Sequence, residues 1–283
     1  MPTGSRVRGS GFRVRTGLAV GLMLALALSA ATEPAGAQPP RVIALAPHLA
    51  ELAFAAGAGD ALVGTVAWSD YPAEAAELPL IGDAFRLDLE RVLGLDPDLA
   101  LAWEGGTPAA AAERLEELGI EVAWIRIGRL EEIGSALVEI GRRLGRPDRG
   151  QQAAKDYRSA LAERPEPAEA DLPTFYQVSE RPLYTLGGRH ILTEVLRRCG
   201  ARNIFADLDV EASAVDYEAV LARQPAVIVA GTEPGGDDPL QRWRRDRDHL
   251  PDDLSLIAVE PDTLIRPTPR IIDGIDLLCR LLP

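Results

Sequence analysis

Three histidines, two cysteines and two matched acidic pairs are the residues of this 283-residue chain whose types and spacing could do chemistry. His48 and His190 each stand at the head of a helix-like stretch, where an imidazole could ligate the metal of a bound cofactor. A polar side chain bonded to backbone at a helix start is the plainer alternative, and both readings stay open. His249 lies among charges and reads as solvated. Asp88 and Glu90 recur as Asp216 and Glu218 at a constant offset of 128, together with Val92 and Val220, Leu93 and Leu221, Pro97 and Pro225, and Ala102 and Ala230. Acids so placed can support helix starts, Asp as a cap and Glu against the positive end of the helix.

Catalytic patterns are missing. The chain has no GxxxxGK[ST] phosphate loop, no HExxH, no GxSxG and no CxxC. Gly57-Ala58-Gly59 begins like a dinucleotide fingerprint, but no third glycine follows and these glycines end a helix-like stretch. Carboxylate pairs such as Glu116-Glu117 and Glu131-Glu132 read as solvated faces. Two function classes stay open, a binding protein and an enzyme or chelatase-like protein.

The elements that must position these residues follow a regular order. RVIALAP is a short buried strand stopped by Pro47, and HLAELAFAAG is a helix ended by Gly57. LVGTVAW, DLALAW and VAWIRI are further strands, with helices in LDLERVLGL and PAAAAERLEELG between them. Strands alternating with helices predict a parallel sheet covered on both faces, with ligands at the carboxyl ends of its strands. That rim carries His48, Trp68, Trp103 and the Gly105-Gly106 turn.

In residues 130–144 the apolar positions Leu130, Ile133, Leu137, Ile140 and Leu144 step by three and four, giving an amphipathic helix. A second helix starts at Pro147 and runs to about Glu163. The pattern then returns with TFYQVS, a helix in residues 187–205, the VDYEAVLARQPAVIVAG repeat, LIAVEP and a last helix from Ile271. Aligning Glu51 with Glu194 superposes Gly57 on Gly200, so the opening unit recurs too. The predicted fold is α/β, with two similar parallel-sheet lobes, residues 38–129 and 171–283, joined by a rigid helical segment, 130–170, and a ligand cleft between them. Trp124, inside a strand, reads as core, and Trp243, in a charged segment, as surface.

The first fifteen residues carry four arginines and no acid, and an uncharged stretch follows over residues 16–31. This is a signal-peptide pattern, shorter than the roughly 20 residues a spanning helix needs, and Ala35-Gly36-Ala37 offers a small-residue cleavage site. A mature chain starting near Gln38 is expected, with an uncleaved anchor as the alternative. No cysteine near that site allows lipid attachment. Without residues 1–37 the chain has 26 basic and 42 acidic residues, a net charge of −16, which argues against a nucleic-acid partner. Export would carry Cys199 and Cys279, the only cysteines, into an oxidising compartment, and a disulfide between them is predicted.

The blocks PRVIALAPHLAELAFAAGAGDALVG, WSDYP, LDLERVLGLDPDLALAW, EVLRRCGARNIF, VDYEAVLARQP and RPTPRIIDGIDLLC, in this order, resemble the periplasmic cobalamin-binding proteins of ABC importers. These belong to the helical-backbone class, class III, of solute-binding proteins, which also carry haem and iron siderophores. The resemblance covers about residues 40–283. It implies a monomeric carrier with no catalytic residues and no resident cofactor, whose ligand is cobalamin or a related corrinoid. Its partner would be the homodimeric permease of an importer, met by Glu90 and Glu218, one anchor per lobe. It further implies ligand contacts from Trp68, Trp103, Tyr184, Asp262 and Arg266, with His48 on the same rim. Two aromatics of the family are replaced by Ala84 and Ala212, although Phe85, one step away, could substitute. That departure leaves the guest open between cobalamin, another corrinoid, haem and a ferric siderophore.

Overall fold

The first sheet has the order β2-β1-β3-β4, and every pairing in it is parallel. Its strands are β1 (Val42–Ala44), β2 (Leu62–Thr65), β3 (Leu99–Trp103) and β4 (Glu121–Ile125). Between them run α1 (Pro47–Ala55), the short α2 (Ala73–Ala76), α3 (Leu89–Gly94) and α4 (Ala109–Glu117). The computed structural model describes residues 39–83, 85–232 and 236–283, besides Gly4, Arg6 and Gly9. The predicted signal segment, residues 1–37, and Ala84 lie outside the described residues. Among the described residues no helix is long and apolar enough to cross a membrane.

Two helices follow the first sheet, α5 (Leu130–Arg143) and α6 (Pro147–Ala162). Sixteen residues make α6 a rod of about 24 Å. The helices approach closely where Gly141 faces Gly150, and a Cβ on Gly141 would come within 2.7 Å of the Gly150 Cα. One face of α5, with Ile133, Leu137 and Ile140, is buried as the sequence spacing predicts.

The second sheet has the order β10-β9-β5-β6-β8, with β7 paired to β5. It contains β5 (Leu172–Glu180), β6 (Leu183–Leu186), β7 (Ala201–Asn203), β8 (Ala212–Ala214), β9 (Val227–Gly231) and β10 (Ser255–Val259). Its helices are α7 (Leu192–Arg198), α8 (Tyr217–Ala222), α9 (Gln241–Arg245), α10 (Asp262–Ile265) and α11 (Ile271–Leu281). This sheet is mixed, because β6 runs antiparallel to both β5 and β8. Sequence reading assigns no element where β6 lies, since LYTL is too short to show alternation.

The repeat is expressed in backbone. Leu89–Gly94 and Leu99–Trp103 map at the offset of 128 onto Tyr217–Ala222 and Val227–Gly231. Asp96 and Gln224, each before the matched proline, both have positive φ, at 45° and 49°. Gly57 and Gly200 end their helices in the left-handed region that glycine tolerates best.

One apolar cluster runs from α1 and β1 through α5 and α6 to β9 and α11, joining Leu49, Ile133, Tyr157, Val195, Val229 and Leu278. Tyr157 donates its hydroxyl to Leu130 O at 2.7 Å, pinning α6 to the start of α5. Cys199 and Cys279 form a disulfide that joins the end of α7 to α11. The two tryptophans left out of the site exchange their expected places. Trp124 is 42% exposed because β4 is an edge strand, whereas Trp243 is fully buried. α9 turns Trp243 inward, against Phe175 and Tyr217, and its Nε1–H donates to Gln177 Oε1 at 2.7 Å.

Candidate functional site

The carboxyl ends of both sheets face one cleft. In the first sheet β2 and β4 are the outer strands, so three strand spacings, about 14 Å, separate the two ends of that cleft. A hollow lies at each end. The hollow at the β2 end, about 540 Å³, is lined by Trp68, Asp70, Tyr176, Gly231, Asp262 and Arg266 among others. The hollow at the β4 end, about 350 Å³, contains Trp103, Arg126, Arg129, Arg189, His190 and Glu211.

Trp68 follows β2 in a tight loop and has φ of 69°, a region costly for a bulky side chain. The surroundings hold it there. Ala67 N donates to Gly82 O, and Thr65 Oγ1 donates to Ser69 Oγ at 2.7 Å within the buried loop base. The result is an indole 73% exposed at the mouth of the hollow. A strained backbone that presents an apolar ring to solvent is a mark of a binding site.

Opposite it, Tyr176 on β5 is buried and its hydroxyl has no hydrogen-bond partner among the described residues. Burial, then nearby Asp262, push its pKa up, so it is a neutral donor. Arg266 Nη1 meets Asp70 Oδ1 at 2.7 Å and its Nη2 meets Asp262 Oδ2 at 2.8 Å, linking the two sheets across the hollow. Burial holds the Asp262 carboxyl above its usual range. Beside this pair Arg270 makes a bidentate bond with Glu51, at 2.7 and 2.8 Å, while the Tyr71 ring covers its guanidinium at 3.8 Å. Glu51 is 3% exposed, so the partner it neutralises is essential to its charge.

Between the hollows His48 sits edge-on to Trp103, with ring centroids 5.1 Å apart. Burial and then Arg266 lower its pKa to about 3, and its Nε2 is buried without a partner among the described residues. His190 takes the plainer role, since its Nδ1 accepts from Leu192 N at 3.1 Å. No group of three or more metal-binding side chains occurs among the described residues.

Trp68, Asp262 and Arg266 therefore share one hollow, and Trp103 with neighbouring His48 belongs to the other. Tyr184 and Phe85 line neither. Tyr184 alternates with buried Leu183 and Thr185 on β6 and projects from the opposite face. Phe85 rides a turn in which Asp83 Oδ1 accepts from Phe85 N and Arg86 N, and the ring stands 78% exposed. Ala212 is exposed on β8, where its small side chain adds no wall. Sequence reading passed over Asp70, Tyr176, Glu51 and Arg270. Only Glu51 carried a signal, a carboxylate set between Ala50 and Leu52 inside an apolar helix.

Glu90 and Glu218 line neither hollow and occupy the first turns of α3 and α8, exposed and without an ion pair among the described residues. Asp88 caps α3 by accepting from Arg91 N at 3.1 Å, whereas the Asp216 side chain caps nothing.

A family model described as periplasmic binding protein matches residues 42–248. A vitamin B12-binding protein of Vibrio parahaemolyticus is 36% identical over 244 residues, covering 84% of this chain and 88% of that protein. A second, of Yersinia pestis, is 36% identical over 259 residues, 90% of each chain. Among solved structures, a periplasmic vitamin B12 binding protein of Vibrio cholerae superposes with a TM-score of 0.76 at 34% identity, covering 86% of this chain and 96% of that one. A periplasmic haem-binding protein from Pseudomonas aeruginosa superposes with a TM-score of 0.71 at 26% identity, covering 85% and 91%.

Proposed function

Because the chain belongs to the periplasmic binding protein family, we propose that it captures cobalamin or a related corrinoid in the cleft and delivers it unaltered to an ABC importer. The observation that carries this reading is the β2-end hollow, where an exposed indole held in left-handed backbone shares the lining with a buried Tyr176 whose hydroxyl has no partner among the described residues. A flat macrocycle gains contact area from such a ring at little entropy cost, while a few fixed polar groups orient its fringe. Asp262 and Arg266 supply an acceptor and donors at that fringe, and Trp103 with His48 supplies the floor between the hollows. The similarity to vitamin B12-binding proteins supports this guest.

In this reading residues 38–129 and 171–283 act as lobes on a stiff connector, 130–170, and the protein works as a monomer in the periplasm after cleavage near Ala37. Glu90 and Glu218 dock on the two halves of a homodimeric permease. A duplicated carrier needs one anchor per lobe on a two-fold partner, and charge pairing sets orientation and encounter rate.

Haem is the second reading, and His48 favours it. A neutral imidazole is the type of ligand haem iron takes, and the buried Nε2 of His48 has no partner among the described residues. Titration calorimetry with cyanocobalamin and with hemin decides between them. One-to-one binding of cyanocobalamin with an unchanged corrinoid spectrum is expected. Binding of hemin alone would replace the proposed guest.

A further inference from the structure

The β4-end hollow differs in chemistry from its neighbour, and the difference rests on side chains particular to that end. Arg126 directly follows the last residue of β4, and its side chain has no ion pair or hydrogen bond among the described residues. Arg189, in the loop before α7, has only a loose contact of 3.9 Å with Asp209. His190 lies beside them, its Nδ1 occupied by Leu192 N–H. Burial lowers its pKa to about 4, so the neutral ring must carry its hydrogen on Nε2.

Acids line the same hollow, and of the three only Glu194 is held by other partners. Glu194 accepts from Leu130 N at 2.9 Å and pairs with Arg129 at 3.3 Å. Partial removal from water pushes the Glu211 carboxyl up, and the charge of nearby Arg189 draws it down. Glu104 and Glu211 stand against Arg126 and Arg189 with no side-chain hydrogen bond or ion pair among the described residues. Arg126, Arg189 and His190 thus line one hollow with more N–H donors than its two open carboxylates can occupy, and an oxyanion can take up the surplus.

We propose that this end of the cleft holds an oxyanion of the guest on Arg126, Arg189 and the Nε2–H of His190. The inference rests on the corrinoid reading above, and for a complete corrinoid the oxyanion is the phosphodiester of the nucleotide loop. The corrin then lies toward Trp68, and the nucleotide loop reaches across the cleft toward Trp103. A carrier built this way distinguishes a complete corrinoid from one without its nucleotide loop. Haem propionates share the oxyanion chemistry, so the test separates the sources.

The test compares cyanocobalamin, dicyanocobinamide, which lacks the loop and its phosphate, and hemin by titration calorimetry. Binding is measured for the wild-type chain and an Arg126→Gln/Arg189→Gln double variant, at low and high sodium chloride. The wild type is expected to prefer cyanocobalamin over dicyanocobinamide by at least about tenfold, the worth of a charge-assisted contact. That preference should shrink as salt rises and collapse in the double variant. Equal wild-type affinity for the two corrinoids, a salt-independent preference, or an equal loss for both in the variant would overturn the inference and leave the corrinoid reading standing. Hemin binding without either corrinoid would remove the parent reading instead. If the double variant fails to fold, the salt dependence of the wild-type preference decides alone.

Discussion

At Trp68 function and stability pull apart. Its φ of 69° suits glycine better than an indole, and the ring gains little from the fold because it is exposed. Trp68→Gly should therefore hold or slightly raise the melting temperature while weakening ligand binding by at least about tenfold; a parallel loss of both would show the ring to be structural. The buried histidines point to an acid limb. Their folded pKa values, about 3 for His48 and about 4 for His190, lie below the unfolded value of 6.5. Between pH 6.5 and 4 the unfolded chain binds more protons, so stability falls as pH falls, by up to about 1.4 kcal/mol per pH unit for each histidine. Melting temperatures from pH 7.5 to 4.5 should follow that slope and flatten in His48→Gln; an unchanged profile in the variant would refute the assignment. Trp68, Asp262 and Arg266 were legible because blocks of sequence around them resemble a family. Asp70 was not, since its partner Arg266 lies 196 residues away and no local spacing encodes the bond. Trp243 was misread for a related reason. Three arginines flank it on α9, but the helix keeps them out of the core and sends the indole to Gln177.

Helices and strands were more legible than contacts, because period and punctuation are local. Pro47, Gly57, Pro97 and Gly200 mark real boundaries, and the offset of 128 overlays two helices and two strands residue for residue. The antiparallel β6 and β8 escaped notice because strands of four and three residues are too short for alternation to declare itself. α3 and α8 carry the docking prediction. Ala at both Glu90 and Glu218 should abolish most ligand uptake in a reconstituted importer while the dissociation constant for ligand stays unchanged. A fall in ligand affinity would place these acids elsewhere in the mechanism. α7 and α11 carry another. Their disulfide closes a separation of 80 residues, so reduction should lower stability by up to about 4 to 5 kcal/mol, measured by denaturant titration with and without reductant. An indifferent midpoint would mean that the packing of Leu196 and Leu278 already holds the two helices.

For the molecule as a whole, the apolar cluster that passes unbroken through α5 and α6 resists large hinge motion. Small-angle scattering should give nearly the same radius of gyration with and without ligand, and a marked contraction on binding would contradict the stiff connector. The ion pair of Glu51 with Arg270, roofed by Tyr71, ties the same two halves at a second place, between α1 and the start of α11. Separating it would strand a carboxylate in a setting nearly free of water, so spontaneous gaping of the jaws is rare and brief. Cargo once seated would then dwell for long periods in free solution, and the timing of its discharge would belong to the machine that pries the clasp apart.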